Sequence, residues 1–190
     1  KVLICSSEIV QFAKTGGLAD VAGELPLALE ELGVEVRLSM PKYKTIKNVA
    51  SKLGKNILVY FIENDKYFNR DNLYSEKTGD YPDNLERFSF YARQTLDLMK
   101  VEGFRPDIIH CNDWQSALIP VYLKTIYKDD PFFKNTKSVL TIHNLGYQGV
   151  FPKEQFPKTG LSWDLFNMEG LEFYDKVSFL KGGMVFSDLI

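Results

Sequence analysis

The chain has 190 residues, a length that suits one domain, with at most an appended element. Hydrophobic residues make up 45%, enough for a proper buried core, and no apolar run approaches a membrane span. A formal net charge of −2 excludes a long-range pull toward nucleic acid or acidic membranes, so an anionic ligand needs a local site.

Cys5 and Cys111 make neither a disulfide framework nor a zinc spacing. Each sits in or just after an apolar, strand-like run, as buried free thiols do, which favours a reducing compartment. No secretory signal pattern opens the chain.

Val2-Leu3-Ile4-Cys5 predicts a short buried strand. Lys14-Thr15-Gly16-Gly17-Leu18-Ala19-Asp20-Val21 then leads into a helical pattern. A lysine and two glycines at a strand-to-helix turn suit a phosphate: glycine lets the backbone approach, the helix start offers free N–H groups, and the ammonium adds a charge. The spacing is neither G-x-G-x-x-G nor the P-loop G-x-x-x-x-G-K-[ST]. A solvated lysine before an ordinary glycine turn is the plain alternative.

Leu18, Val21, Ala22, Leu25, Leu29 and Leu32 recur at helical spacing from Gly17 to Leu32, and Gly33 is a natural stop. Pro26 falls inside this helix and should kink it or remove one hydrogen bond. Val34 to Met40 alternates like a strand that ends at Pro41. The β-α-β unit implies a parallel sheet with a right-handed crossover.

Asn56 to Ile62 predicts another strand, and residues 63–85 a long polar loop of the kind that is often functional. Glu86 to Val101 predicts a helix, and Asp107 to His110 a strand. Trp114 to Tyr127 predicts one helix, with Asp113 as its cap and Pro120 as an irregularity. Ser138 to Ile142 predicts a strand. The rest, to Ser187, reads as loops and short helices. Asp188-Leu189-Ile190 opens a further apolar run, as a strand cut at its start would, and suggests a trimmed chain.

In an open α/β sheet, ligands bind beyond the carboxyl ends of the strands. Ser6, Ser7, Glu8 and the Lys14 turn follow the first strand. His110, Asn112, Asp113 and Trp114 follow the fourth, and His143, Asn144, Tyr147 and Gln148 the fifth. Both histidines of the chain thus fall at this edge. Either could be a structural residue bonded to a neighbouring backbone group. A nicotinamide dinucleotide does not fit, because the second strand ends Leu38-Ser39-Met40-Pro41 with no acid for the ribose. His110 and His143 lack a compact metal-ligand set. Glu8, Asp20 and Asp113 could supply a carboxylate pair for glycoside hydrolysis, against the alternative that Asp113 caps a helix and Asp20 faces solvent. That scheme leaves the Lys14 turn without a purpose. Tyr67, Phe68, Tyr74 and Tyr81 suit the flat faces of sugars, or equally pack back on the sheet.

Taken together, the motifs identify a family. Lys1 to Pro41 with its Lys14 turn resembles the start of bacterial glycogen synthases and plant starch synthases. So do Gly79 to Phe88, His110-Cys111-Asn112-Asp113-Trp114-Gln115, Thr141 to Gly149, and Phe166-Asn167 through Gly183. Asn112 stands where the family often has His, and Gly146 where it often has Ala. The resemblance implies an α/β fold: a Rossmann-like parallel sheet flanked by helices, the N-terminal half of a GT-B clamp. It places residues 1–190 as that N-terminal domain, with the C-terminal donor-binding domain of the same enzyme absent from this chain.

The resemblance further implies glucosyl transfer from ADP-glucose to the non-reducing end of an α-1,4-glucan, with retained configuration and neither cofactor nor metal. No nucleic acid or membrane partner is expected. The location expected is the cytoplasm of a bacterium, or a plastid in a plant. Lys14, Gly16 and Gly17 match the turn that meets the donor diphosphate. His143 matches the histidine that contacts the transferred glucose through its 6-hydroxyl, with Asp113 assigned beside it to the catalytic set. Glu8, Asp20, Tyr81, Trp114, Asn144 and Gln148 match the rest of the glucose and acceptor site. The alternative is an isolated glucan-binding module without catalysis.

Overall fold

Strand β1 (Val2–Cys5) runs through the middle of a six-stranded sheet in the computed structural model, which describes residues 1–47 and 52–190. Helix α1 (Gly17–Glu31) leads from it to β2 (Val36–Pro41). The two-residue β3 (Lys52–Leu53) and β4 (Ile57–Ile62) follow, then the short helix α2 (Asp65–Phe68). A small hairpin, β5 (Ser75–Glu76) and β6 (Gly79–Asp80), precedes α3 (Asn84–Val101) and β7 (Ile108–Asn112). Helices α4 (Asp113–Ser116) and α5 (Leu118–Lys124) lead to β8 (Lys137–Thr141). Strands β9 (Val150–Pro152), β10 (Glu172–Phe173) and β11 (Lys176–Ser178) and helix α6 (Phe179–Phe186) complete the order.

The sheet order is β3-β4-β2-β1-β7-β8, and every pairing is parallel except β3 with β4. This is the Rossmann-like α/β arrangement that the β-α-β pattern predicts. Leu3, Ile4 and Cys5 are all buried, so both faces of the central strand are covered, as in a parallel sheet between helices. Full burial of each such aliphatic side chain contributes about 1.5–3 kcal/mol. Cys5 is level with Ser39 on one side and Cys111 on the other, and Asn112 is level with Thr141. The strands therefore end together, and the segments leaving them share one edge. Cys5 and Cys111 are both free and buried.

Helix α1 ends at Glu31, two residues after Leu29 packs on the core, and Gly33 leaves it at φ 80°. Pro26 is buried inside the helix, which continues through it to Glu31. The proline removes the N–H that would meet the Ala22 carbonyl. Among the described residues no helix is long and apolar enough to cross a membrane.

Three expectations need correction. The predicted helix from Trp114 to Tyr127 is two shorter ones that meet at Ala117 and end at Lys124. Pro120 has no N–H for the Ser116 carbonyl, so the hydrogen-bond ladder fails at the junction. Residues 63–85 are not one long loop. Asn64 caps α2, and the buried Arg87 donates to the carbonyls of Tyr67 and Leu73 at 2.7 and 2.9 Å, drawing the segment onto α3. Between Gly149 and Phe179, β9, β11 and β10 form a three-stranded antiparallel sheet. Its strands of two or three residues are too short to show a period in sequence.

Candidate active site at the carboxyl edge of the sheet

The segments after β1, β7 and β8 lie side by side because those strands are neighbours. After β1, the chain turns through Ser6-Ser7-Glu8 and returns at Thr15-Gly16. The buried Glu8 carboxylate accepts from the Thr15 N–H at 2.5 Å, the Thr15 hydroxyl at 2.6 Å and the Gly16 N–H at 3.3 Å. Tyr74 adds its hydroxyl at 2.7 Å from the far side of the loop. Glu8 thus fastens the turn from beneath. Above it, a Cβ added at Gly16 or Gly17 would meet nothing within 4 Å, so the glycines border open space. The first N–H groups of α1 emerge there without helical partners. Lys14 reaches over the same end, with its ammonium 2.6 and 2.8 Å from the Asp20 carboxylate oxygens. Both partners of that pair are half-exposed, so the contact is weak and exchangeable.

Asp113 differs from expectation. It makes no cap bond to its helix. Its backbone sits at φ 55°, a left-handed conformation that aspartate tolerates better than most residues. That turn aims the carboxylate across to β8, where Oδ1 accepts the main-chain N–H of His143 at 2.7 Å. Burial pushes the Asp113 carboxyl above its ordinary range, and the His143 N–H pulls the other way.

The His143 ring is held as well. Its Nε2 lies 3.0 Å from Asn112 Oδ1, and Asn112 Nδ2 donates to the Cys5 carbonyl at 3.2 Å. His110 is on the same face of β7, two residues before Asn112, with Nε2 2.7 Å from the Thr141 hydroxyl. Burial holds His110 below the ordinary histidine value of 6.5, and the neighbouring His143 lowers it further.

Beyond His143 the chain closes on itself. Asn144 Oδ1 accepts the Gly146 N–H at 2.8 Å, and Gln148 donates to the Leu145 carbonyl at 3.2 Å. Leu145 and Tyr147 are exposed. The loop rests on Trp114. An alanine Cβ at Gly149, where φ is 59°, would lie 2.5 Å from the Trp114 ring. Phe88, Phe151 and Phe179 pack around that ring. The first N–H groups of α6, on Phe179 and Leu180, donate to the carbonyls of Gly149 and Gln148.

The structure therefore gathers Lys14, Gly16, Gly17 and Asp20 at one end of the edge and Asp113, His143, Asn144 and Gln148 at the other. Glu8 and Trp114 lie beneath, as supports. Tyr81 is also buried, between the guanidinium groups of Arg70 and Arg87, with its hydroxyl on the Asn72 carbonyl. Phe68 is fully buried, and Tyr67 packs on Phe68 and Phe90. These aromatics pack back on the fold. Asn112, Thr15 and Tyr74 organise the edge through bonds that their sequence positions do not disclose. The two-residue spacing of His110 and Asn112 sets both on one face of β7.

Residues 1–190 match the family model described as the starch synthase catalytic domain. The chain belongs to that family. A glycogen synthase of Syntrophotalea carbinolica is 46% identical over 213 residues, covering all of this chain and 44% of the relative. A glycogen synthase of Thermotoga petrophila is 44% identical over 220 residues, with the same coverage. Starch synthase IV from Arabidopsis thaliana, solved as its catalytic domain bound to ADP and acarbose, superposes with a TM-score of 0.86 at 28% identity. That match covers 99% of this chain and 44% of the solved one. The chain thus spans a little under half the length of the starch and glycogen synthases it matches.

Proposed function

We propose that this chain forms the acceptor-side half of a retaining glucosyltransferase that moves glucose from ADP-glucose to the non-reducing end of an α-1,4-glucan. The observation that carries the reading is the shared edge: a cation and open glycine turn after β1, and a ring-anchored histidine after β8, in a member of the starch synthase family. The Arabidopsis neighbour, bound to ADP and acarbose, takes ligands of the same chemistry, a nucleoside diphosphate and a saccharide.

Charge builds on the diphosphate as the glycosidic bond breaks. Lys14 and the free N–H groups at the start of α1 would meet that charge mostly in the transition state. Lys14 must then exchange Asp20 for phosphate, which their half-exposed contact permits. His143 would contact the transferred glucose through its 6-hydroxyl, as a neutral ring beside an oxocarbenium-like centre. Asp113 sets its backbone, and Asn144 and Gln148 shape the wall beside it. Glu8, Trp114 and Tyr81 hold that wall and the turn from behind. The sugar nucleotide's base and most of the donor would be held by a C-terminal domain, the other half of a GT-B clamp. The reaction uses no metal or further cofactor in this scheme. The location that goes with this reading is the cytoplasm of a bacterium, or a plastid in a plant.

The test is ADP release by the full-length protein from ADP-glucose and a maltooligosaccharide. Turnover of about 1 s⁻¹ or more is expected. Lys14→Ala should lower kcat/KM by roughly 10- to 150-fold, the worth of one hydrogen bond to a charged group. An unchanged kcat/KM would return Lys14 to a solvated surface role.

A further inference from the structure

We propose that Asn112 is a positioning residue that fixes which nitrogen of His143 carries the proton, leaving Nδ1 as a bare acceptor for a sugar hydroxyl. The inference rests on the reading of His143 as the residue that meets glucose, and adds the group that orients it.

The contacts are decided from their buried end. The Cys5 carbonyl can only accept, so the Asn112 atom that meets it at 3.2 Å is the amide nitrogen. Asn112 Oδ1 therefore faces His143 Nε2, at 3.0 Å. An amide oxygen has no proton to give, so Nε2 must donate. A neutral imidazole carries one N–H, which leaves a lone pair on Nδ1. Among the described residues the ring makes no other hydrogen bond. Asn112 is 1% exposed, so water does not compete for its amide. The Asp113 carboxylate fixes the main chain of the same histidine, so the residue is held at its backbone and at Nε2.

The choice of a neutral amide matters. A carboxylate at position 112 would also accept from Nε2, but it would favour the imidazolium. The amide sets the tautomer without adding that charge. His110 does not duplicate the arrangement, because its Nε2 is engaged by the Thr141 hydroxyl.

Long-range proton–nitrogen NMR on histidine-labelled protein reads the tautomer directly, with His143 assigned by the signal lost in His143→Gln. In the wild-type protein at alkaline pH, His143 should show a protonated Nε2 and a pyridine-like Nδ1. Asn112→Leu should let the two tautomers exchange, so that the two nitrogen shifts converge. Asn112→Asp should raise the His143 titration midpoint by about 1 unit or more. The acid limb of kcat should move up with it, because the ring must be neutral to accept. A wild-type His143 protonated at Nδ1 overturns the proposal, even if neither Asn112 variant folds. So does a folded Asn112→Leu with an unchanged tautomer. A midpoint that moves while the acid limb stays put would also overturn it, since the ring would then not face substrate. The spectra need no turnover, so an inactive protein with the expected tautomer would count against the transferase reading and leave the ring's orientation standing.

Discussion

The main-chain N–H of His143 donates to Asp113 Oδ1 at 2.7 Å, tying the end of β8 to the end of β7. The bond forms because Asp113 adopts a left-handed backbone that turns its carboxylate away from its own helix. Two requirements therefore meet at one residue: tolerance of positive φ, and an acceptor of the right length.

Asparagine satisfies both requirements and alanine neither. Asp113→Asn should lose less stability in urea than Asp113→Ala, because it keeps an acceptor for the His143 N–H. Asp113→Ala should lose about 1.5–3 kcal/mol with the charged hydrogen bond, and more from the backbone. Equal losses for the two variants would refute this account of the residue.

Glu8 should set the rigidity of the Lys14 turn. Its carboxylate accepts the N–H groups of Thr15 and Gly16 and the hydroxyls of Thr15 and Tyr74. Glu8→Gln brings a donor against those hydroxyls and weakens the acceptor. Amide exchange at Thr15 and Gly16 should quicken tenfold or more, equivalent to about 1.4 kcal/mol of local opening. Unchanged protection at both amides would mean that the turn is held by something else.

Gly149 is where loop and core meet most closely. Gly149→Ala forces a Cβ to within 2.5 Å of the Trp114 ring at a positive φ. About 1–2 kcal/mol of backbone strain and about 1–3 kcal/mol of overpacking should follow. Thermal unfolding and Trp114 fluorescence report it. A variant as stable as wild type would show that the loop can lift off the ring at no cost.

His110 should make the fold acid-sensitive. Burial and His143 disfavour its charged form, so the folded value lies below 6.5. The unfolded chain then binds the proton more readily. Stability contributed by the neutral ring is present above the unfolded value and is lost as pH falls below it toward the folded one. His110→Gln should flatten the stability–pH slope in that window. A slope that is the same in both proteins would assign the acid sensitivity elsewhere.

Much of this edge was legible in sequence. Strands β1, β2, β4, β7 and β8 follow from apolar runs bounded by polar residues, and α1 from its helical period and Gly33. Parallel strands end level, so residues after them had to gather. What the sequence did not disclose depends on angles and on single long-range bonds. Asp113 before Trp114 has the look of a cap, and only its φ shows otherwise. Residues 63–85 have no clear period, and their order comes from Arg87 donating to the Tyr67 and Leu73 carbonyls. Lys14 and Glu8 were both visible as charges at the edge, but not that Asp20 and the Thr15–Gly16 amides already engage them.

In the proposed reaction His143, and not its neighbour His110, faces the reacting sugar. The measurement is kcat for the proposed transfer by His143→Ala and His110→Ala in the full-length protein, at saturating ADP-glucose and maltooligosaccharide, with circular dichroism to establish that both are folded. Removal of one preorganised polar contact to a transition state costs about 10²–10³ in rate. His143→Ala should show that loss, and His110→Ala a smaller one. A folded His110→Ala that is the slower of the two would contradict it.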